Sequence, residues 1–175
     1  MVITEDKFKE KTIEAVAEQM CIAARTAPKG RGIDLIVTAI AVGDTVKKLA
    51  DKMKEMGATS DAPSFIRDAE NLSFASHVVL IGTKFKIIGL KNCGLCGYAT
   101  CEEKHEKANC SLNVGDLGIA IGSAISVAAD HRVDNRIMFS VGRAAIKLKL
   151  LGDEVKIAFG IPLSATGKNP FFDRK

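Results

Sequence analysis

Apolar residues recur at intervals of three and four in the first part of the chain: Ile13, Val16, Ala17, Met20 and Ala24. That spacing lays them along one side of an α-helix that starts after a Thr4 N-cap and ends before Pro28. Cys21 falls inside this helix and reads as a core residue. The pattern then changes to a continuous β-branched run, Ile33 to Val42, bounded by Gly32 and Gly43, as in a buried strand. Lys29, Gly30, Arg31 and Gly32 form the turn between the two. A second helix is predicted with Asp44 as N-cap, Val46, Leu49, Ala50, Met53 and Met56 on its apolar face and Gly57 as C-cap. A third begins near Pro63 and uses Phe65, Ile66, Ala69 and Leu72. His77 to Gly82 reads as a strand and Phe85 to Leu90 as a shorter one. Later come a Gly/Ala-rich helix from Asp116 to Ala129, a strand over Arg136 to Phe139, a helix over Arg143 to Leu151, a strand from Val155 to Ile161 and a polar tail from Pro162. With no repeat or linker, this alternation predicts one α+β domain over residues 1–175.

Composition narrows the function classes. The chain has 175 residues, 47% of them hydrophobic and 26% charged, enough to bury about two-thirds of the unfolded surface. The net charge of +4 is spread along the chain, Trp is absent and Tyr98 is the single tyrosine. Stacking platforms for nucleic acid are therefore hard to assemble, and no nucleic-acid partner is expected. Glu5, Asp6, Lys7, Lys9 and Glu10 precede any apolar run, unlike a secretory signal, so a cytoplasmic location is expected. The longest charge-free apolar stretch, Leu117 to Ala129, falls short of the roughly 20 residues a membrane span needs.

The chemistry lies in the cysteines. Asn92-Cys93-Gly94-Leu95-Cys96-Gly97-Tyr98-Ala99-Thr100-Cys101 is followed, after eight residues, by Cys110. Four thiolates satisfy either a [4Fe–4S] cluster or a tetrahedral zinc. Gly94 and Gly97 favour the cluster: a loop wrapping inorganic sulfides needs close backbone approach and free N–H donors, whereas zinc modules more often pair two Cys-x-x-Cys units. His105 could replace one sulfur but reads as a solvated residue among Glu102, Glu103, Lys104, Glu106 and Lys107. His77 and His131 have no evident acid, base or nucleophile beside them in sequence.

The cysteine segment resembles the four-cysteine [4Fe–4S] motif of corrinoid iron–sulfur proteins and of ferredoxin-like subunits of electron-transport complexes. Cys93, Cys96 and Cys101 match it position by position, and Cys110 comes sooner than the fourth ligand usually does. Three further stretches are similar to the nitroreductase-like flavoproteins: Ile22 to Gly32 leading into a strand, the helix from Asp116 to Ala129, and Gly160-Ile161-Pro162 followed by Lys168 to Arg174. Together with the cysteines they resemble a ferredoxin-domain family allied to those flavoproteins. The resemblance implies an α/β sandwich with a central mixed sheet flanked by helices, into which 92–110 is inserted as a metal loop. It also implies a homodimer, FMN at its interface, and a redox partner protein or small-molecule acceptor. The family's early Arg-Ser-x-Arg phosphate motif is missing. A flavin would have to be held by Arg25, Pro28, Lys29, Gly30 and Arg31, with Lys168 and Arg174 returning from the tail, and the residues leave open whether FMN binds at all. The other reading is a flavin-free binding or assembly domain with a structural zinc or cluster. Independently of family, Gly118, Ala120, Gly122, Ala124, Ala128 and Ala129 give the long helix a shallow surface suited to the core or to a dimer interface.

Overall fold

Four strands make one sheet in the order β1-β2-β4-β3, and every pairing is antiparallel. They are β1 (Ile36–Val42), β2 (His77–Lys84), β3 (Asp134–Asn135) and β4 (Val155–Ser164). These come from a computed structural model, which describes residues 1–172. The sheet is thus antiparallel where a mixed one was expected. Central β2 is buried along nearly its whole length because helices cover both of its faces. Its alternation sorts the two cores: Val79 and Ile81 face α1 (Glu5–Thr26) and α4 (Ser111–Asp130), while Val78 and Leu80 face α2 (Asp44–Thr59), α3 (Pro63–Asn71) and α5 (Phe139–Lys147). The apolar stripe of α1, Ile13, Val16, Ala17, Met20 and Ala24, is buried as the periodicity predicts.

Several boundaries move for physical reasons. The run from Ile33 is an edge strand, half-buried along most of its length, and starts only at Ile36. Gly43 supplies the α2 N-cap ahead of Asp44. Gly57 lies inside α2, where α3 crosses so closely that an added Cβ would stand 2.8 Å from Ile66. Phe85 to Leu90 is not a strand: register slips at Thr83/Lys84, after which only the Phe85 amide still pairs, with Glu154. Arg136 to Phe139 gives way to the two-residue β3, a single Met138–Gly160 bridge and the start of α5. The tail is less polar in its structure than in its sequence, since β4 runs on to Ser164 and Phe171 is fully buried.

Helix α4 is long and apolar enough to cross a membrane by length and composition. It packs one face on α1 and the sheet and carries the buried polar residues Asn113 and Asp116, as a core helix does. Its glycines divide from three of its four alanines, Ala129 being exposed. Ala120, Ala124 and Ala128 enter the core, whereas Gly115, Gly118 and Gly122 lie on the opposite, exposed face with no atom within 4 Å of an added Cβ.

Candidate metal centre and its surroundings

Between β2 and α4, residues 85–110 form no helix or strand. Structureless connections beyond ~12–15 residues are uncommon in compact domains and tend to be functional. This one is clamped at its roots. Buried Asn113, in the first turn of α4, donates through Nδ2 to the carbonyls of Lys84 (2.9 Å) and Lys86 (3.1 Å), and its Oδ1 accepts from the Thr83 hydroxyl at 2.6 Å. A second tie comes from the α1–β1 turn: Arg31 donates to the carbonyls of Ile88 (3.2 Å) and Gly89 (3.0 Å). Among the described residues, the loop's own backbone-to-backbone bonds are Gly97 to Gly94 and Ala108 to His105.

All four predicted ligands, Cys93, Cys96, Cys101 and Cys110, line one cavity of about 360 Å³. Each is half-buried, while most residues between them are exposed, so the loop turns its sulfurs inward and its polar positions out. Cys110 is also the α4 N-cap. Among the described residues no three His, Cys, Asp or Glu side chains converge tightly enough for a single metal ion. Zinc draws four sulfurs to about 2.3 Å from one point; a cubane presents a separate iron to each and spans a wider cage. Four thiols lining one cavity are the donor set that either centre would draw on. Gly94 (φ 60°) and Gly97 (φ 85°) take left-handed conformations, and no atom lies within 4 Å of where a Cβ would stand. The loop thus keeps side chains clear of its backbone beside Cys93 and Cys96, with the Gly97 amide donating to the Gly94 carbonyl.

The basic turn predicted to hold a flavin phosphate is otherwise engaged. Arg25 pairs with Asp34 at 2.5 Å and donates to the Ile36 carbonyl. Burial alone would raise the Asp34 carboxyl, but the hydrogen bond from Arg25, the Ile36 amide and the charges of Arg25 and Lys29 hold it below the ordinary value. Lys29 caps the end of α1, donating to the carbonyls of Ala24, Arg25 and Ala27. Pro28 is exposed. The Gly30 amide already meets an anion, donating to both carboxylate oxygens of buried Asp116 at 3.0 Å. A phosphate at this turn would face that carboxylate and would have to break the α1 cap, so the turn does not fit it. Lys168 lies on the exposed segment after β4, and Arg174 falls outside the described residues.

Sequence reading missed the groups that shape this region. Asn113 and Asp116 look like ordinary polar residues of a helix, and their partners are 29 and 86 positions away, so no local pattern marks them. Ser76, next to His77, lies 2.9 Å from its Nδ1. His105 Nδ1 accepts from the Lys107 amide, and His131 is exposed.

Comparison with known proteins agrees with this architecture. A family profile described as "Uncharacterized protein containing a ferredoxin domain (DUF2148)" matches residues 106–174, a span that includes Cys110 but not the other three loop cysteines. An uncharacterized protein of Archaeoglobus fulgidus is 40% identical over 99% of this chain and 98% of its own. Among solved structures, nitroreductase CinD from Lactococcus lactis in complex with nicotinic acid superposes with a TM-score of 0.62 at 16% identity, over 89% of this chain and 79% of that one. The FMN-dependent nitroreductase NfnB from Mycobacterium smegmatis in complex with NADPH gives 0.61 at 13% identity, over 90% of this chain and 81% of that one. At such identities the two structures speak for the fold alone, a nitroreductase-type α+β sandwich. With a relative 40% identical over nearly its whole length and the match over residues 106–174, the chain belongs to the family of proteins containing a ferredoxin domain.

Proposed function

We propose that this chain is a redox protein carrying one [4Fe–4S] cluster on Cys93, Cys96, Cys101 and Cys110. The observation that carries the reading is the single cavity walled by all four thiols, supported by the glycine conformations beside them. When bound, such a cluster supplies one-electron transfer at a potential that its charge, hydrogen bonds and exposure set within roughly −700 to +450 mV. The chain's part is to position and tune. Asn113 and Arg31 hold the loop ends; Lys91 and Lys104 on the cavity wall, opposed by Glu102, favour the more negative, reduced state. A flavin is left out of this reading because Asp116 and the α1 carbonyls already engage the turn meant for its phosphate.

The protein acts as a homodimer in this reading, through the exposed face of α4. Three glycines in a helix forfeit about 1 kcal/mol each relative to Ala, and no intrachain neighbour approaches them in return. Exposed Ile119 lies on the same helix and exposed Ile22 on the neighbouring α1, so a second copy recovers the loss through close helix contact.

Anaerobic purification followed by assays of iron, acid-labile sulfide and zinc tests the cluster. About four irons and four sulfides per chain, with absorbance near 400 nm bleached by dithionite, are expected. Ala at Cys93, Cys96 or Cys101 should each abolish iron binding. A colourless protein with one zinc, or full iron in those variants, refutes the assignment.

A further inference from the structure

A second cavity, of about 330 Å³, adjoins the cysteine loop, and Cys101 and Cys110 line it as well as the first. Its body is apolar, with Phe85, Ile87 and Ile157 from the strand side and Val114 from the first turn of α4. Three lysines, Lys86, Lys104 and Lys156, stand on its wall against one acid, Glu106. Lys104 is held there by bonds to the His105 and Ala108 carbonyls, with its ammonium 5.7 Å from the centre of the Phe85 ring. Lys86 and Lys156 are exposed at their positions, while nearby Lys84 is paired with Glu154 at 2.8 Å. The buried polar side chains that line it, Thr83 and Asn113, are both engaged in protein bonds. Selectivity therefore falls to the lysines and the apolar walls.

We propose that this cavity binds a small organic anion with an apolar, ring-sized body, its charge met by Lys86 and Lys156 and its ring seated between Phe85, Val114 and Ile157. Pockets of this size bury most of a small ligand, and apolar walls with a few convergent cations select a carboxylate or sulfonate on an aromatic frame over either part alone. Shared lining by Cys101 and Cys110 puts such a molecule against two of the four thiols. Its meaning as a redox ligand rests on the cluster reading above; the binding itself does not.

The test uses full-length protein purified anaerobically, with iron and sulfide measured first. 1-Naphthoate is titrated by calorimetry alongside 1-naphthalenemethanol, which keeps the ring without the charge, and inorganic phosphate, which keeps the charge without the ring. Naphthoate should bind at least about tenfold tighter than either, the ratio one charge-assisted contact supplies. Lys86→Ala and Lys156→Ala, at exposed positions, should each weaken it by about tenfold, and Val114→Trp should fill the site and abolish binding. In dithionite-reduced protein, naphthoate should shift the electron paramagnetic resonance signal of the wild type and leave that of Val114→Trp unchanged. Iron-replete protein that does not bind naphthoate, binds all three probes alike, or is indifferent to the lysine variants overturns this site while the cluster stands. Protein without iron and sulfide overturns the cluster instead, and the calorimetry then decides the cavity separately: naphthoate binding keeps it and its absence removes it.

Discussion

Replacing Asn113 tests whether the cysteine loop is held from its root. The side chain is 4% exposed and makes three bonds: to the carbonyls of Lys84 and Lys86 and from the Thr83 hydroxyl. Asn113→Ala removes all three, and the losses differ. Thr83 keeps a longer contact to the Leu35 carbonyl at 3.4 Å, and the carbonyl of exposed Lys86 can turn to water. Half-buried Lys84, at the slip in register, has the poorest alternative. Allowing about 1–3 kcal/mol for that orphaned acceptor and about 1 for the others together gives about 2–4 kcal/mol. For a chain of this size a loss near 3 kcal/mol lowers Tm by about 6–12 °C, read by circular dichroism melting of metal-free protein. Asn113→Asp separates hydrogen bonding from packing. It keeps an acceptor for Thr83 but points a carboxylate at two carbonyl oxygens, so its deficit should shrink on acidification as the protonated carboxyl regains a donor. A Tm within about 2 °C of wild type for Asn113→Ala, or a pH-independent deficit for Asn113→Asp, would refute the clamp.

Gly142→Ala should be among the most damaging single substitutions, since its Cβ would lie 1.8 Å from the Ala158 carbonyl oxygen and the strand backbone cannot yield as a side chain could. Loss at or above the ~3 kcal/mol upper range of overpacking is expected in urea titration, and an unchanged midpoint would contradict the α5–β4 contact. A Cβ added at Gly122 meets no neighbour within the chain, so Gly122→Leu should halve the mass of the proposed dimer seen by light scattering without lowering the stability of the separated subunit; an unchanged dimer mass counts against the proposed α4 interface. The Arg25–Asp34 pair contributes stability at pH values above the unfolded Asp value of about 4, lost as pH falls through the lower folded value. Arg25→Ala should therefore flatten the acid limb of the stability profile, a small effect at so exposed a pair. Burial pushes the Cys21 thiol up, outweighing its hydrogen bond with Thr38. In metal-free protein at neutral pH, mass spectrometry should find iodoacetamide on the loop cysteines before Cys21.

Periodicity and spacing were sufficient for the parts of this protein whose cause is local. The stripe of α1 follows from helical geometry applied to Ile13, Val16, Ala17, Met20 and Ala24, and those five residues are the ones buried. The four cysteines stand out by their spacing within eighteen positions, and they share one cavity. What local pattern misplaced was decided by neighbours remote in sequence. Ile33 to Val42 and Phe85 to Leu90 have strand composition, but only the position of β2 and β4 decides that the first lies at an edge and the second goes unpaired. The basic turn looked ready for a phosphate until the fold brought Asp116 onto the Gly30 amide from 86 residues away and drew Lys29 back over α1. The glycines and alanines of α4 are chemically alike along the chain, and tertiary packing sends Ala120, Ala124 and Ala128 inward while Gly115, Gly118, Gly122 and Ala129 face out. A backbone hydrogen bond or a buried carboxylate is chosen by whatever the fold carries within 3 Å of it, and such proximity between distant residues has no signature in a one-dimensional pattern.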